Sequence, residues 1–242
     1  MTSKNTKAQE RAARLAESRA EAKRREERRR LISIVGVVAV LIAIIVTVVV
    51  VNKIRNKVDA PVTSEHALLF GEADAPHRLV IYEDFLCPIC QGFEQAGNEA
   101  FTEQVEAGNL AVEYRPFVLL DRFGPYSADS LNAFFVVQAE AGDDVAKTFH
   151  DLLFADQPAE DSDSWPGADH FVKLAVEAGA VEAEVRPGIE GKTLSDKVKA
   201  ATQEAEDANV NGTPTVLLDG EQMEGFKSWE GLVEDIVDQV SE

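Results

Sequence analysis

Cys87 and Cys90 are the only thiols among the 242 residues of the chain, and only Pro88 and Ile89 separate them. This spacing places the first sulfur at the exposed first turn of a helix and the second one turn further inside, where they can close a readily reduced disulfide. The free N–H groups and partial positive charge of a helix start favour the thiolate of Cys87. The spacing therefore predicts thiol–disulfide exchange, with the Cys87–Cys90 disulfide as the redox group and no other cofactor.

Pro88 and Ile89 are the residues expected to tune this pair, and proline suits the first position of a helix. A structural disulfide and half of a metal site are the alternatives. A four-residue ring removes little entropy from the unfolded chain, and the sequence holds no second Cys-x-x-Cys to complete a zinc site. No metal site is predicted. A packing or surface role is expected for each of the four scattered histidines, His66, His77, His150 and His170.

Residues 31–51 form an uncharged apolar run of twenty-one residues. At about 1.5 Å per residue this run spans a hydrocarbon core of ~30 Å, which predicts a transmembrane helix in a lipid bilayer. Residues 1–30 carry eleven Lys or Arg against five Asp or Glu, so this basic segment is expected in the cytoplasm. The prediction is a single-pass plasma-membrane protein with its bulk extracytoplasmic. A cleaved signal peptide is the alternative, although its apolar run is usually ~7–15 residues.

Residues 52–65 are predicted to be a polar linker, and residues 66–242 a folded domain. Between residues 59 and 242, ten Lys or Arg face thirty-eight Asp or Glu, a net charge of −28. Such a domain will not bind nucleic acid through its phosphates, and a solvated acidic surface is the simplest interpretation. Outside the cytosol, thiols are not held in the reduced form. A cysteine pair in that compartment can therefore cycle between the dithiol and the disulfide.

The order of predicted elements is strand, strand–helix–strand, a long helical stretch, and strand–strand–helix. Strands are predicted at 67–70, 79–85, 110–115 and 215–218, and the helix after the cysteines at 88–106. Helical periodicity fills about 126–209, and Ser228 is expected to cap a last helix. This order resembles an α/β thioredoxin-like fold with an inserted helical subdomain, since the insertion is longer than ordinary loops.

Four short sequences carry a resemblance to a known family: GEADAP at 71–76, DFLCPIC at 84–90, LFADQP at 153–158 and GTPT at 212–215. Over about residues 68–240 the chain is similar to the bacterial DsbA-like disulfide oxidoreductases. The resemblance implies that Cys87 is the nucleophile and Cys90 the resolving cysteine. It further implies that Pro214 is cis and faces the disulfide, while Thr213 offers backbone hydrogen bonds to an extended substrate. An ordinary trans turn is the alternative.

The resemblance also implies partners. These are unfolded secreted proteins with free thiols, and a quinone-linked membrane reoxidase of the DsbB or vitamin K epoxide reductase type. Two departures from the family pattern stand out. Ile89 replaces the histidine of the best-known oxidants, so a milder oxidant is expected. Ile81 stands where a buried acid commonly relays protons, which leaves Glu83 or Asp84 as the candidate relay, or both as ordinary exposed acids.

The favoured function is a membrane-anchored thiol oxidase that introduces disulfides into secreted or cell-surface proteins. A disulfide isomerase or reductase of the same fold is one alternative. Isomerases of this type usually carry a separate dimerisation domain, for which residues 52–65 are too short. The other alternative, from a different class, is a tethered copper chaperone that uses the two thiols as soft ligands.

Overall fold

The computed structural model describes residues 41–47 and 58–241. The chain divides into two compact units between Lys57 and Val58. In the first unit, residues 41–47 are helical with exposed side chains. Over the described ranges, no helix has both the length and the apolar character needed to cross a membrane. The remainder of the predicted span 31–51, the basic segment 1–30 and residues 52–57 of the predicted linker lie outside the described residues.

The second unit is an α/β domain with a five-stranded sheet and seven α-helices. Its strands are β1 (Leu68–Phe70), β2 (His77–Glu83), β3 (Leu110–Pro116), β4 (Thr215–Leu218) and β5 (Glu221–Gln222). Its helices are α1 (Pro88–Glu106), α2 (Tyr126–Ala141), α3 (Asp143–Ala155), α4 (Ala168–Glu177), α5 (Glu182–Glu190), α6 (Ser195–Asp207) and α7 (Trp229–Val240). A short 3-10 turn, Asp121–Phe123, precedes α2.

The sheet has the order β1-β3-β2-β4-β5, with β2 and β3 parallel and every other neighbouring pair antiparallel. The parallel pair is joined by α1, so the strand–helix–strand unit predicted around the cysteines is confirmed. The turn between β4 and β5 has positive φ at Asp219 and Gly220, which fits the hairpin turn expected of an Asp-Gly pair. Helices α2 to α6 fill the chain between β3 and β4, which is the predicted helical insertion.

Alternation along β2 divides the core between the two faces of the sheet. Leu79 and Ile81 pack with α1, the inserted helices and α7, where most of the large aromatic side chains are buried. Val80 and Tyr82 face the other way, into a smaller cluster that includes the end of α6. The sheet thus fixes the end of β2, and the loop that follows it carries the cysteine pair to the start of α1.

The first residues of the domain form a strap, Val58 to Val62, on the face of the sheet opposite α1. Val58 is buried there, and the N–H of Asp59 donates to the carbonyl of Ala208 at 3.0 Å. The guanidinium of Arg115 donates to the carbonyl of Pro61 at 2.8 Å. These contacts hold residues 58–62 against the sheet, although the folded domain was predicted to start only at residue 66.

Candidate active site

Cys87 is the N-cap of α1, with an extended backbone (φ −74°, ψ 115°) and Pro88 in the first turn. Its sulfur accepts a hydrogen bond from the N–H of Cys90 at 3.4 Å. Both cysteines are free thiols in this structure. Pro88 and Ile89 face solvent, and 53% of the Ile89 surface is exposed. The first sulfur therefore lies at the helix start as predicted, but Cys87 is buried there and not exposed.

The start of α1 stabilises the thiolate of Cys87. The pKa of Cys87 falls to about 6, mainly because the thiol of Cys90 donates a hydrogen bond to it. Burial opposes this shift, whereas hydrogen bonds from Thr213 and from the N–H groups of Cys90 and Ile89 support it. A thiol with this pKa is largely ionised at neutral pH, and the thiolate is the form that attacks disulfides.

Cys90 has the opposite character. It is fully buried one turn inside α1, and burial raises the pKa of its thiol well above the ordinary value. The thiolate of Cys87 and the charge of Glu83 raise it further. The sulfur of Cys87 is thus stabilised as an anion although the residue is buried, and the sulfur of Cys90 is a fully buried, protonated thiol.

The Thr213–Pro214 peptide bond is cis. It lies in the loop before β4, which places the carbonyl oxygen of Thr213 3.5 Å from the sulfur of Cys87. The two segments are 126 residues apart in the chain and are brought together because β4 pairs with β2. The predicted cis bond and its position beside the cysteine pair are both observed.

A cavity of about 620 Å³ opens beside the start of α1. Pro88 and Gln91 of α1 line one side, and Phe123 of the 3-10 turn and Pro158 of the insertion line the other. Gln157, from the same insertion segment, donates hydrogen bonds to the carbonyls of Phe85 and Cys87, at 2.9 and 3.1 Å. The 3-10 turn before α2 and the segment between α3 and α4 therefore build one wall of a groove beside the redox pair.

Asp84 is buried just after β2 and holds the loop around the cysteines together. Its carboxylate accepts hydrogen bonds from the N–H of Leu86 (2.8 Å), of Leu119 (2.8 Å) and of Leu120 (3.0 Å), and from the hydroxyl of Ser127 (2.7 Å). Burial raises the pKa of Asp84, and these four donors oppose that shift. With its oxygens so engaged, Asp84 ties the redox loop to the β3–α2 connection and has little capacity to carry protons.

Glu83, the last residue of β2, faces the other side and is also buried. Its Oε1 lies 2.7 Å from Nε2 of His150 on α3. The other ring nitrogen, Nδ1, lies 2.9 Å from Asp151. Burial lowers the pKa of His150, but the charge of Glu83 and the hydrogen bonds to both carboxylates outweigh it and raise the pKa to about 10. His150 is therefore an imidazolium ion held between two carboxylates beneath the redox pair.

Glu94 completes this buried group from α1. Neither of its carboxyl oxygens, nor Oε2 of Glu83, has a hydrogen-bond partner among the described residues. Ligand atoms of Glu83, Glu94 and His150 all lie within 4.8 Å of one another. Burial, and then the charge of Glu83, raise the pKa of Glu94 to about 8. Both ring nitrogens of His150 are already paired with carboxylates.

Residues 63–238 match the family model described as thioredoxin. The chain belongs to this thioredoxin family. Among solved structures it is similar to oxidised DsbA from Mycobacterium tuberculosis, with 29% identity, coverage of 73% of this chain and 93% of the other, and a TM-score of 0.62. It is also similar to the reduced form of the disulfide bond oxidoreductase DsbG from the same organism, with 27% identity, 72% and 87% coverage, and a TM-score of 0.63.

A curated relative, the Na(+)/H(+) antiporter NhaA 1 of Mycobacterium sp. (strain KMS), is 28% identical over 169 residues. The match takes in 68% of this chain, which spans only a quarter of that relative's length. The family match and the similarity to these solved structures place the chain among the DsbA-like proteins of the thioredoxin family.

Within this family member, the two predicted relay candidates have different environments. Glu83 lies in a buried charged group near Cys90, whereas Asp84 is fixed in the loop. The alternative that both are exposed strand-end acids is wrong. His150 is buried against aromatic side chains, which agrees with the expected packing role, and its ring is in addition paired with Glu83. Glu94 was missed, although its position four residues after Cys90 places both on one face of a helix.

Proposed function

We propose that this DsbA-like domain acts as an oxidase that donates the Cys87–Cys90 disulfide to thiols of unfolded secreted or cell-surface proteins. The observation that carries the proposal is the contrast between the two sulfurs. A Cys87 thiolate stabilised at the helix start favours the reduced enzyme relative to its disulfide, and a pair with that preference gives its disulfide away.

The geometry supports a defined order of steps. A substrate thiolate attacks the sulfur of Cys87, the Cys87–Cys90 bond breaks, and Cys90 leaves. A second substrate thiolate then attacks the mixed disulfide and releases Cys87, which departs easily because its thiolate is stabilised. Thr213 is proposed to pair with the extended backbone of the substrate beside Cys87. Pro214 shapes this loop, and the neighbouring groove receives the flanking side chains of the substrate.

We further propose that the enzyme works outside the cytosol, anchored in the plasma membrane by residues 31–51, with the basic N-terminal segment inside. The charge asymmetry and apolar length of the sequence support this placement. An oxidase of this kind must be reoxidised after each cycle. We propose a quinone-linked membrane reoxidase of the DsbB or vitamin K epoxide reductase type as the partner, in keeping with the resemblance to DsbA-like proteins.

Two measurements on the full chain test the direction of electron flow. In the first, the oxidised protein in detergent is mixed with a reduced, unfolded secreted protein, with Cys87→Ala as the control. An oxidase transfers its disulfide stoichiometrically, and the variant transfers none. In the second, thiols are trapped by acid and alkylation in intact cells. An oxidase is found mainly as the disulfide, whereas a protein found mainly as the dithiol would be an isomerase or reductase.

A further inference from the structure

The groove beside the redox pair combines apolar surface with negative charge. Its apolar lining comes from three side chains, those of Pro88, Phe123 and Pro158. Glu160 and Asp161 add two carboxylates to the lining. Among the described residues, no lysine or arginine lines this groove. Because the groove starts at the residue directly after Cys87, a substrate that reaches the reactive sulfur lies next to these groups.

The segment that carries the two acids is fixed to the redox loop. The amide of Gln157 donates to the carbonyls of Phe85 and Cys87, at 2.9 and 3.1 Å. A further hydrogen bond joins α1 to the end of α3, where the amide of Gln91 donates to the carbonyl of Phe154 at 2.7 Å. Both acids follow shortly after Gln157 in the chain, so these contacts hold the wall that carries them beside Cys87.

The charge of this wall is not balanced by neighbouring side chains. Residues 156–163 hold four acids and no base. Within the part of the chain that the structure describes, neither Glu160 nor Asp161 has an ion-pair partner. Arg122 lies over the ring of Phe123, 4.4 Å from its centroid, and is not one of the lining residues. The groove therefore presents a negative potential to a segment that enters it.

One class of substrate side chain matches both parts of this lining. Lysine and arginine each have a long aliphatic stem that packs on apolar surface and a charged head that stays at a polar position. A purely apolar side chain would leave the two carboxylates without a partner, and an acidic side chain would be repelled by them. A basic side chain beside the substrate cysteine therefore fits this groove best.

We infer that the groove selects substrates in which lysine or arginine flanks the reactive cysteine, and that Glu160 and Asp161 set this preference. The inference rests on the proposed function and names the substrate class of the same site. The chemical step is unchanged, since a substrate thiolate bonds to the sulfur of Cys87 and displaces Cys90. A second substrate thiolate then releases Cys87, which leaves the substrate oxidised and the enzyme as a dithiol. The two acids act earlier, because they attract the basic segment before the attack.

The test compares two synthetic peptides that share the same pair of cysteines. The residues flanking the cysteines are all lysine in one peptide and all glutamate in the other. Each peptide is mixed with the oxidised full chain in a non-ionic detergent, and acid quench with mass spectrometry gives the rate constant for oxidation of the peptide. Each peptide is also oxidised by the neutral disulfide of 2-mercaptoethanol. Division by that second rate constant removes differences in thiol ionisation between the peptides.

The wild type should oxidise the lysine peptide about tenfold faster than the glutamate peptide at low salt. An exposed ion pair changes a rate about two- to fivefold, and the groove offers two such pairs. The ratio should fall to about two or less at about 0.5 M salt, because screening then acts over a few ångströms. The double variant Glu160→Gln, Asp161→Asn should show a ratio of about two or less already at low salt.

The double variant Glu234→Gln, Asp235→Asn is the matched control. It makes the same two replacements at exposed positions of α7 that do not line the groove, and it should keep the wild-type ratio. Thermal unfolding establishes that each variant is folded. If the groove variant does not fold, Asp161→Asn alone takes its place, and it should lower the ratio about two- to fivefold.

Three results would overturn the inference while leaving the proposed function intact. One is a wild-type ratio close to unity at low salt, and another is a groove variant that keeps the wild-type ratio. The third is an equal loss of the preference in both double variants, which would assign the preference to the net charge of the domain. An oxidised wild type that oxidises neither peptide would instead refute the proposed function itself.

Discussion

Ile89 is the position at which the oxidising power of this enzyme can be altered with the least disturbance. It lies between the two cysteines and 53% of its surface is exposed, while its N–H supports the Cys87 thiolate. A histidine at this position would add a cation and a hydrogen-bond donor beside the sulfur. The perturbation is therefore Ile89→His, with the neutral Ile89→Gln as its control.

The expected size follows from the pKa of Cys87, which is about 6. In thioredoxin the first cysteine has a pKa of about 7 and the reduction potential is about −270 mV, whereas in DsbA the two values are about 3.5 and about −120 mV. The reduction potential therefore rises by about 40 mV for each unit by which the pKa falls. The wild type should therefore have a reduction potential of about −230 mV. Lowering the pKa by about one further unit in Ile89→His should raise the potential by about 40 mV, or about 2 kcal/mol.

Equilibration with glutathione buffers gives the potential of each protein, and the ultraviolet absorbance of the thiolate gives the pKa of Cys87. The two values should move together in Ile89→His, and Ile89→Gln should stay close to the wild type in both. A lowered pKa with an unchanged potential would refute the link between thiolate stability and oxidising power. A wild-type pKa near the ordinary value of about 8.5 would refute the stabilisation at the helix start.

Three other predictions concern the buried groups. Cys90→Ala should accumulate a mixed disulfide between Cys87 and a substrate, visible on non-reducing gels, and the absence of any adduct would count against Cys87 as the nucleophile. Asp84→Asn should lower the free energy of unfolding by about 2–4 kcal/mol in denaturant titrations, because a carboxylate that serves four donors is lost; the exposed Asp121→Asn should change it little. The third prediction concerns the oxidised protein, in which no thiol titrates. Folding raises the pKa of His150, so the stability that its charge contributes is complete only below about pH 6.5. The free energy of unfolding should therefore fall by several kcal/mol as the pH rises from about 6.5 to about 10. Denaturant unfolding across this range checks it, and stability that rises with pH would contradict the pairing of His150 with Glu83.

The sequence was sufficient for the redox pair, the Thr213–Pro214 loop and the order of elements. The redox pair and the order of elements depend on local chemistry or on periodicity, such as proline at a helix start or alternation along β2, whereas the Thr213–Pro214 loop was implied by the resemblance to DsbA-like proteins. The strand predicted to run to residue 85 ends at Glu83 instead. Beyond that residue the chain turns, and the direction of a side chain no longer follows the pleat of the strand.

The buried charged group could not be predicted in the same way. Glu83 and His150 are 67 residues apart in the chain, and only the packing of α3 against the end of β2 brings them together. The sequence around His150 gave no sign of its partner. Glu94 did leave a signal, since Cys90, Phe93, Glu94, Gly97 and Phe101 follow helical spacing on one buried face of α1. An acidic residue at one of the positions of this buried helix face predicts a buried carboxyl group.

The position of Asp84 outside the Cys-Pro-Ile-Cys segment means that the residues that anchor the redox loop are not the residues that tune its potential. The anchors of the loop are the carboxylate of Asp84 and the amide of Gln157, whereas Pro88 and Ile89 face solvent. A library that varies only residues 88 and 89 should therefore yield enzymes of graded oxidising strength on one unchanged scaffold. Moving the tetrapeptide alone into another protein would leave behind the groups that hold its loop in shape.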